Sequence, residues 1–435
     1  MKERILDYGK HIFNYVHALI KWMVCAIIAG ICCGLVGTLF HFCVDMATEV
    51  ASEHLWTLYL LPFAGCAIVF CYHINGVRKD EGTNLVISSI RSSDDVPANM
   101  TFLIFVGTVL THLCAGSSGR EGAALQIGGS MGSLIGRILH LDENEKRIII
   151  MCGMSALFSA LFGTPLAATI FSMEVISVGV MNYAAFLPCT LSAMIAVRIA
   201  EAFGIESMQY TVASIPQLNI PNTLWMVALA ILCSIVGGLF VLSLQKAGKQ
   251  LAKYIPNPYL RVMVGGCAVI LLTLLVGERT YNGAGSAVIL AAFSTRIVWY
   301  ACLLKIVFTV VTMASGFKGG EIIPSFFIGA TLGNAFGQLI GLDYSFTAAI
   351  GMICVFCCVV NCPLASVIMS IELFGSEGVL FFALACGICF IISGYYSLYA
   401  SQHFVFSKEP LNYIDERDMQ MGKKPKDWKK QQRKN

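Results

Sequence analysis

Shifted against itself by 201 positions, so that Gly119 falls on Gly320, the chain repeats. TVLT at Thr108–Thr111 meets TVVT at Thr309–Thr312, Ile127 and Gly128 meet Ile328 and Gly329, and Gly132, Gly136, Leu141 and Asp142 meet Gly333, Gly337, Leu342 and Asp343. Upstream, Gly82 meets Gly283. A shift of 198 continues the match: GTPLAATIFSMEV, from Gly163, falls on NCPLASVIMSIEL, from Asn361, and aligns Pro165, Ser172 and Glu174 with Pro363, Ser370 and Glu372. Ordered matches that include proline and glutamate exceed glycine coincidence, and internal repetition decides architecture before any local reading. The chain therefore divides into two homologous halves, residues 1–219 and 220–407, followed by a basic tail, 408–435.

Each half is mostly apolar. The sequence is 57% hydrophobic and 13% charged, against roughly 25% charged in soluble domains, which makes it an all-α polytopic membrane protein. Apolar stretches cover Trp22–Val44, Leu55–Tyr72, Met100–Ala115, Ile148–Phe162, Asn182–Ala200, Leu224–Leu244, Val262–Val276, Ile297–Ala314, Phe346–Val360 and Val379–Ser393. Several fall short of the roughly 20 residues of a straight span. Short pieces interrupted by Gly or Pro point to broken and re-entrant helices, tolerated only where buried in protein or lining a cavity. Repeated halves with broken helices are the pattern of secondary transporters, with the substrate site at the repeat interface. Whether the repeats are parallel or inverted is open at this level.

Lys423, Lys424, Lys426, Lys429, Lys430, Arg433 and Lys434 near the end, and Lys2, Arg4 and Lys10 near the start, put both termini in the cytoplasm by the positive-inside rule. The location expected is the cell membrane, crossed many times. Met1–Lys21 is too charged for a secretory apolar region, so no cleaved signal is expected. Eighteen cysteines lack metal-ligand spacing and read as small packing residues, not disulfides. No His-Glu-x-x-His or Gly-x-Ser-x-Gly constellation supports an enzyme. No cofactor, metal or nucleic-acid partner is expected; the partner is the lipid bilayer.

Chemistry concentrates at three glycine-rich breaks: EGTNLVISSI from Glu81, SSGREGAALQIGG from Ser117 and GFKGGEIIPSFFIGA from Gly316. A helix starting inside the membrane aims free N–H groups and a positive dipole end at whatever precedes it, which makes an anion site. Glycines allow close approach, and Pro324 suits a first turn.

GREGA at Gly119–Ala123, GGEIIPSFFIGATLG at Gly319–Gly333 and GYYSLYAS at Gly394–Ser401 resemble the signature motifs of the CLC family of anion channels and anion/proton antiporters. The resemblance runs from about Trp22 to Phe406 and implies a CLC-type inverted repeat, a homodimer with one pore per subunit, and a gating glutamate at Glu121. Chloride-handling members usually carry Gly-Ser-Gly-Ile-Pro at the first break, where this chain has Gly82-Thr83-Asn84-Leu85-Val86. The usual Gly-x-Phe-x-Pro becomes Gly320-Glu321-Ile322-Ile323-Pro324, and the intracellular proton-carrying glutamate of chloride/proton exchangers falls at Val175. Asn84 and Glu321 are similar instead to the fluoride/proton antiporter branch, which often has Thr where Ile323 stands.

The expected function is exchange of a small inorganic anion, fluoride before chloride, for protons; the alternative is a chloride/proton antiporter or passive chloride channel of the same family. Glu121 and Glu321 are the gating and proton-carrying candidates, with pore stabilisation an equal reading for Glu321. The anion-binding candidates are Thr83, Asn84, Gly119, Arg120, Gly122, Ala123, Ile322, Ile323 and Tyr399. Arg120 also reads as a structural charge facing a vestibule, and Thr83 and Asn84 double as helix caps. Tyr399 offers a phenolic donor. Glu174 and Glu372 are expected to brace helix ends, and Lys305 to be a snorkelling or paired structural charge. Fluoride, small and strongly hydrated, needs many close donors to replace its water. It also enters cells as a weak acid, which makes proton-driven export sensible.

Overall fold

A computed structural model describes residues 2–77, 81–92 and 95–408, with side chains from Ile12 onward. Of the basic tail only Lys408 falls among the described residues. The first half contains α1 (Lys2–Glu53), α2 (Leu61–Ile74), α3 (Thr83–Ser92), α4 (Asn99–Leu113), α5 (Glu121–Ile138), α6 (Glu143–Phe162), α7 (Pro165–Glu174) and α8 (Phe186–Ala202). The second contains α9 (Ile220–Tyr254), α10 (Pro258–Val276), α11 (Ser286–Ala291), α12 (Ala301–Ser315), α13 (Ile322–Ile340), α14 (Tyr344–Val360), α15 (Pro363–Phe374) and α16 (Val379–Ile392). Six of the described helical segments are long and apolar enough to cross a membrane. By contrast α3 and α7, of 10 residues each, reach only about 15 Å at 1.5 Å per residue, half of a bilayer core.

Matching residues set matching helix ends. Asp142 opens α6 with a capping box, accepting the Glu145 N–H at 2.9 Å, and Asp343 opens α14 by accepting the N–H groups of Ser345 and Phe346. Gly163 ends α6 at φ 72° and Asn361 ends α14 at φ 55°; Gly and Asn are the residues that tolerate this left-handed position. Pro165 and Pro363 then start α7 and α15, where a missing N–H does no harm.

Packing repeats as well. In the first half α5 lies on α6, α6 on α8, and α1 on both α6 and α8; in the second α13 lies on α14, α14 on α16, and α9 on both α14 and α16. Across the halves three α-helices contact their own counterparts: α2 with α10, α5 with α13 and α7 with α15. Such isologous pairing is what a two-fold relation produces. It appears in single bonds too: Gly119 N–H donates to Gly320 O and Gly320 N–H to Gly119 O, both at 2.7 Å, in an antiparallel bridge. The halves are thus related by a two-fold axis, as the inverted repeat expected from the sequence requires. Glycines bring backbones together behind this bridge: a Cβ on Gly128 would lie 2.3 Å from Gly153 O, and one on Gly329 2.3 Å from Gly351 O, the close packing that small residues permit between membrane helices. Phe162, Phe171, Phe326 and Phe356 fill the centre where the halves meet.

Candidate functional site

The antiparallel bridge places the starts of α5 and α13 side by side, because each helix begins two residues after its bridging glycine. Glu121, the first residue of α5, is 1% exposed. Its Oε2 accepts the Arg120 N–H at 3.0 Å, and the N–H groups of Glu121 itself and of Ile323 on α13 also face the carboxylate. The side chain therefore folds back into the place where two helix starts converge, which is where a small anion would be held. A Cβ on Gly119 would lie 2.6 Å from Glu121 Oε2, so only glycine admits the carboxylate there.

Arg120 is committed elsewhere. Its Nη1 donates to Asp45 Oδ1 on α1, whose Oδ2 pairs with His41 Nε2 at 2.8 Å, while Arg120 Nε stays 3.8 Å from Glu121 Oε1. Arg120 is thus held by α1, in keeping with a structural charge. Gly119 cannot offer its N–H to an ion, since that group bonds Gly320 O; it contributes closeness and not a donor. Gly122 and Ala123 are buried in the first turn of α5, as are Ile322 and Ile323 in that of α13. Their N–H groups precede the first intrahelical donors, Ala124 N–H to Arg120 O and Ser325 N–H to Glu321 O.

Beside Glu321, just before the start of α13, lies a cavity of about 730 Å³ whose wall includes Thr83, Asn84, Glu321 and Tyr399, while Gly119, Arg120, Glu121, Gly122, Ala123, Ile322 and Ile323 are not part of that wall. The first break contributes differently from the other two. It leads into the ten-residue α3 and not a long helix, and the N–H groups of Asn84 and Leu85 donate to Glu81 O and Gly82 O in a tight turn. What it offers is side chains. The Thr83 hydroxyl donates to Gly122 O at 3.2 Å and accepts from Gln126 Nε2 at 3.2 Å, tying α3 to α5. Asn84 Oδ1 accepts the Ser401 N–H at 2.9 Å; because that partner can only donate, the amide NH₂ is directed away from it as a donor. Tyr399 is 2% exposed and its hydroxyl has no hydrogen-bond partner among the described residues. A buried phenol in that state is a donor without an acceptor. Glu321 caps α13, with its Oε2 3.1 Å from where a Gly122 Cβ would be.

Gln126 was absent from the sequence expectations. It is 8% exposed, lies one turn after Gly122 and lines the cavity; the signal available was an amide in an otherwise small and apolar helix. Glu174 and Glu372 lie outside the cavity wall and form a reciprocal clasp. Glu174 accepts the N–H groups of Leu364 and Ala365, at 3.2 and 2.8 Å, and Glu372 those of Leu166 and Ala167, at 2.9 and 2.8 Å. Each braces the opposite half's short helix, and Val175 beside Glu174 is fully buried. Lys305 does not snorkel: it is 0% exposed, and its Nζ donates to Tyr281 O at 3.2 Å and Gly283 O at 2.7 Å. The eighteen cysteines are all free.

The sequence pattern described as Voltage gated chloride channel matches residues 64–394. A chloride/fluoride channel protein of Pseudomonas syringae pv. tomato is 35% identical over 395 residues, covering 89% of this chain and 87% of that one. The crystal structure of a CLC-type fluoride/proton antiporter superposes with a TM-score of 0.86 at 33% identity, over 89% of this chain and 98% of the other. A slow cyanobacterial Cl⁻/H⁺ antiporter, at 18% identity, shares the fold with a TM-score of 0.73 over 86% of this chain and 94% of that one. A match running from α2 to just past α16, on a fold that superposes over nearly the whole of a solved relative, makes this chain a member of the voltage-gated chloride channel (CLC) family.

Proposed function

We propose that the protein exchanges a small inorganic anion, fluoride in preference to chloride, for protons across the cell membrane. The observation that carries this is the Glu121 carboxylate, folded onto N–H groups of two converging helix starts. A second anion in the same place would face it at close range. At about 4 Å and an effective dielectric near 20, two like charges repel by about 4 kcal/mol, roughly a thousandfold in occupancy. Anion binding thus requires Glu121 to leave, and leaving is easiest once it is protonated. One site then alternates between a carboxylate and an anion, and each exchange moves a proton the other way. The Asn84 amide, the Tyr399 hydroxyl and the free N–H groups of Gly122, Ala123, Ile322 and Ile323 are the donors that replace the anion's water. Glu321, at the cavity wall, passes the proton between Glu121 and the aqueous side.

Preference for fluoride is supported by the names of the chloride/fluoride channel relative and of the CLC-type fluoride/proton antiporter. A site with an amide donor, in place of the serine usual at the first break, also suits an ion that demands several short hydrogen bonds. The protein acts as a homodimer, one pathway per subunit, with both termini in the cytoplasm. The test is purified protein in liposomes, with fluoride, chloride and proton fluxes recorded together. Uphill proton movement driven by a fluoride gradient, with chloride slower, is the expected result. Chloride flux at least as fast would leave a chloride exchanger, and anion flux without protons a passive channel.

A further inference from the structure

The two-fold relation pairs the cavity with a second cleft, and the two differ in where their lysine sits. The shift of 201 that aligns Gly119 with Gly320 also aligns Ser117 with Lys318 and Ile104 with Lys305. At the backbone the first two positions do the same job. Ser117 N–H donates to Thr312 Oγ1 at 3.2 Å, and Lys318 N–H donates to the counterpart Thr111 Oγ1 at 3.3 Å. A serine therefore suffices to build this break, and the fold does not demand a lysine at 318.

Around Ser117 the cleft is closed by hydrogen bonds. The Ser117 hydroxyl donates to Tyr281 O at 2.9 Å, Lys305 Nζ bonds Tyr281 O and Gly283 O, and Asn282 Nδ2 donates to Ala115 O at 3.1 Å. Around Lys318 the corresponding space is the cavity itself, with Ile104 in its wall where the closed cleft has Lys305. In one cleft a lysine lies on the helix and binds carbonyls; in the other a lysine lies on the break and lines the cavity, whose wall also holds Arg261. The placement of Lys318 is prepared by neighbours. A Cβ on Gly107 would come within 2.8 Å of Lys318 Cγ, so the glycine makes room for the lysine stem. The ammonium sits 4.4 Å from the Tyr72 ring centroid, a cation–π distance, and Tyr72 lines the same cavity.

We propose that Lys318 recruits the anion: its charge draws the ion into the cavity past the carboxylates of Glu81 and Glu321, which share the wall. This rests on the anion-transport function proposed above. A charge in a cleft with low-dielectric walls raises the local concentration of the opposite ion and acts on capture more than on later steps. Lys318 is then a positioning residue for access, distinct from the donors that hold the ion.

The test uses full-length protein in liposomes, with initial fluoride flux measured against fluoride concentration for wild type, K318S and K318R. Ionic strength is set to about 0.01 M and about 0.15 M, where the Debye length is about 30 Å and about 8 Å. K318S should melt like wild type, since serine builds the same break at 117. At low salt it should raise the apparent KM for fluoride about threefold to tenfold, keeping maximal rate and proton coupling, and the difference should shrink at the higher salt. K318R should restore the KM. An unchanged KM in K318S, a fall in maximal rate alone, a salt-independent defect, or failure of arginine to rescue would each overturn the proposal. A wild type that carries no fluoride would overturn the function and this role together, before any variant is compared.

Discussion

Removing the Glu174 side chain should weaken the fold without uncoupling transport. Glu174 is 4% exposed and accepts two N–H groups at the start of α15. Hydrogen bonds to charged groups contribute about 1.5–3 kcal/mol each, so Glu174→Ala, which forfeits two of them and leaves two buried donors unpaired, should lose about 3–6 kcal/mol. Glu372 makes the same two bonds at the start of α7 but is half-buried. The vacated N–H groups there are less closely enclosed, and Glu372→Ala should lose less, about 1–2 kcal/mol. The two clasps sit at opposite ends of the α7–α15 pair. With 10 residues in α7 they are about 15 Å apart, far enough for the double variant to lose nearly the sum of the singles. Unfolding of the three variants in detergent, followed by tryptophan fluorescence against denaturant, gives the ranking. The surviving folded fraction in liposomes should keep the wild-type ratio of anions to protons. Wild-type stability in Glu174→Ala together with lost proton movement would refute the bracing role and make Glu174 a proton carrier.

Asn84→Asp keeps an acceptor for the Ser401 N–H while replacing the donor NH₂ with a charged oxygen. Thermal stability should stay near wild type and fluoride flux fall by more than about tenfold, the equivalent of 1.4 kcal/mol; comparable flux would remove Asn84 from the site. Gly128→Ala puts a methyl 2.3 Å from Gly153 O and must push α5 off α6, whereas Gly238→Ala on α9 meets nothing within 4 Å. The first should lower stability by about 1–3 kcal/mol and the second leave it unchanged or raise it by up to about 1 kcal/mol. Denaturant unfolding of the pair measures the contrast.

What the sequence disclosed of all this was unevenly distributed. The repeat and its glycine breaks were legible because glycine, proline and aspartate mark chain geometry directly: Asp142 and Asp343 cap, Gly163 and Asn361 turn, and all four align. The bracing role of Glu174 and Glu372 was legible from their symmetric placement after Pro-Leu-Ala. Other features needed partners distant in sequence. The reciprocal bond between Gly119 and Gly320 takes those N–H groups out of the site, and no local pattern announces it. Between a snorkelling and a paired Lys305 the sequence did not decide, because its two carbonyl partners belong to the segment Tyr281–Gly283, outside its own helix. The apolar run starting at Trp22 understated α1, which begins at Lys2, because helix formation does not stop where hydrophobicity does. Gln126 lies inside the second break, but its place beside Thr83 depends on α3, a partner distant in sequence.

The central claim is that Glu121 and the transported anion take turns in one place, and that titration of Glu121 carries the proton. Glu121→Gln tests it most directly, since glutamine keeps the size of the side chain and cannot titrate. The measurement is simultaneous fluoride and proton flux in liposomes holding equal amounts of folded wild type and variant. The account predicts that a fluoride gradient drives no proton movement in Glu121→Gln, whatever fluoride flux remains, while wild type pumps protons against their gradient. Proton pumping by Glu121→Gln at the wild-type ratio would contradict it.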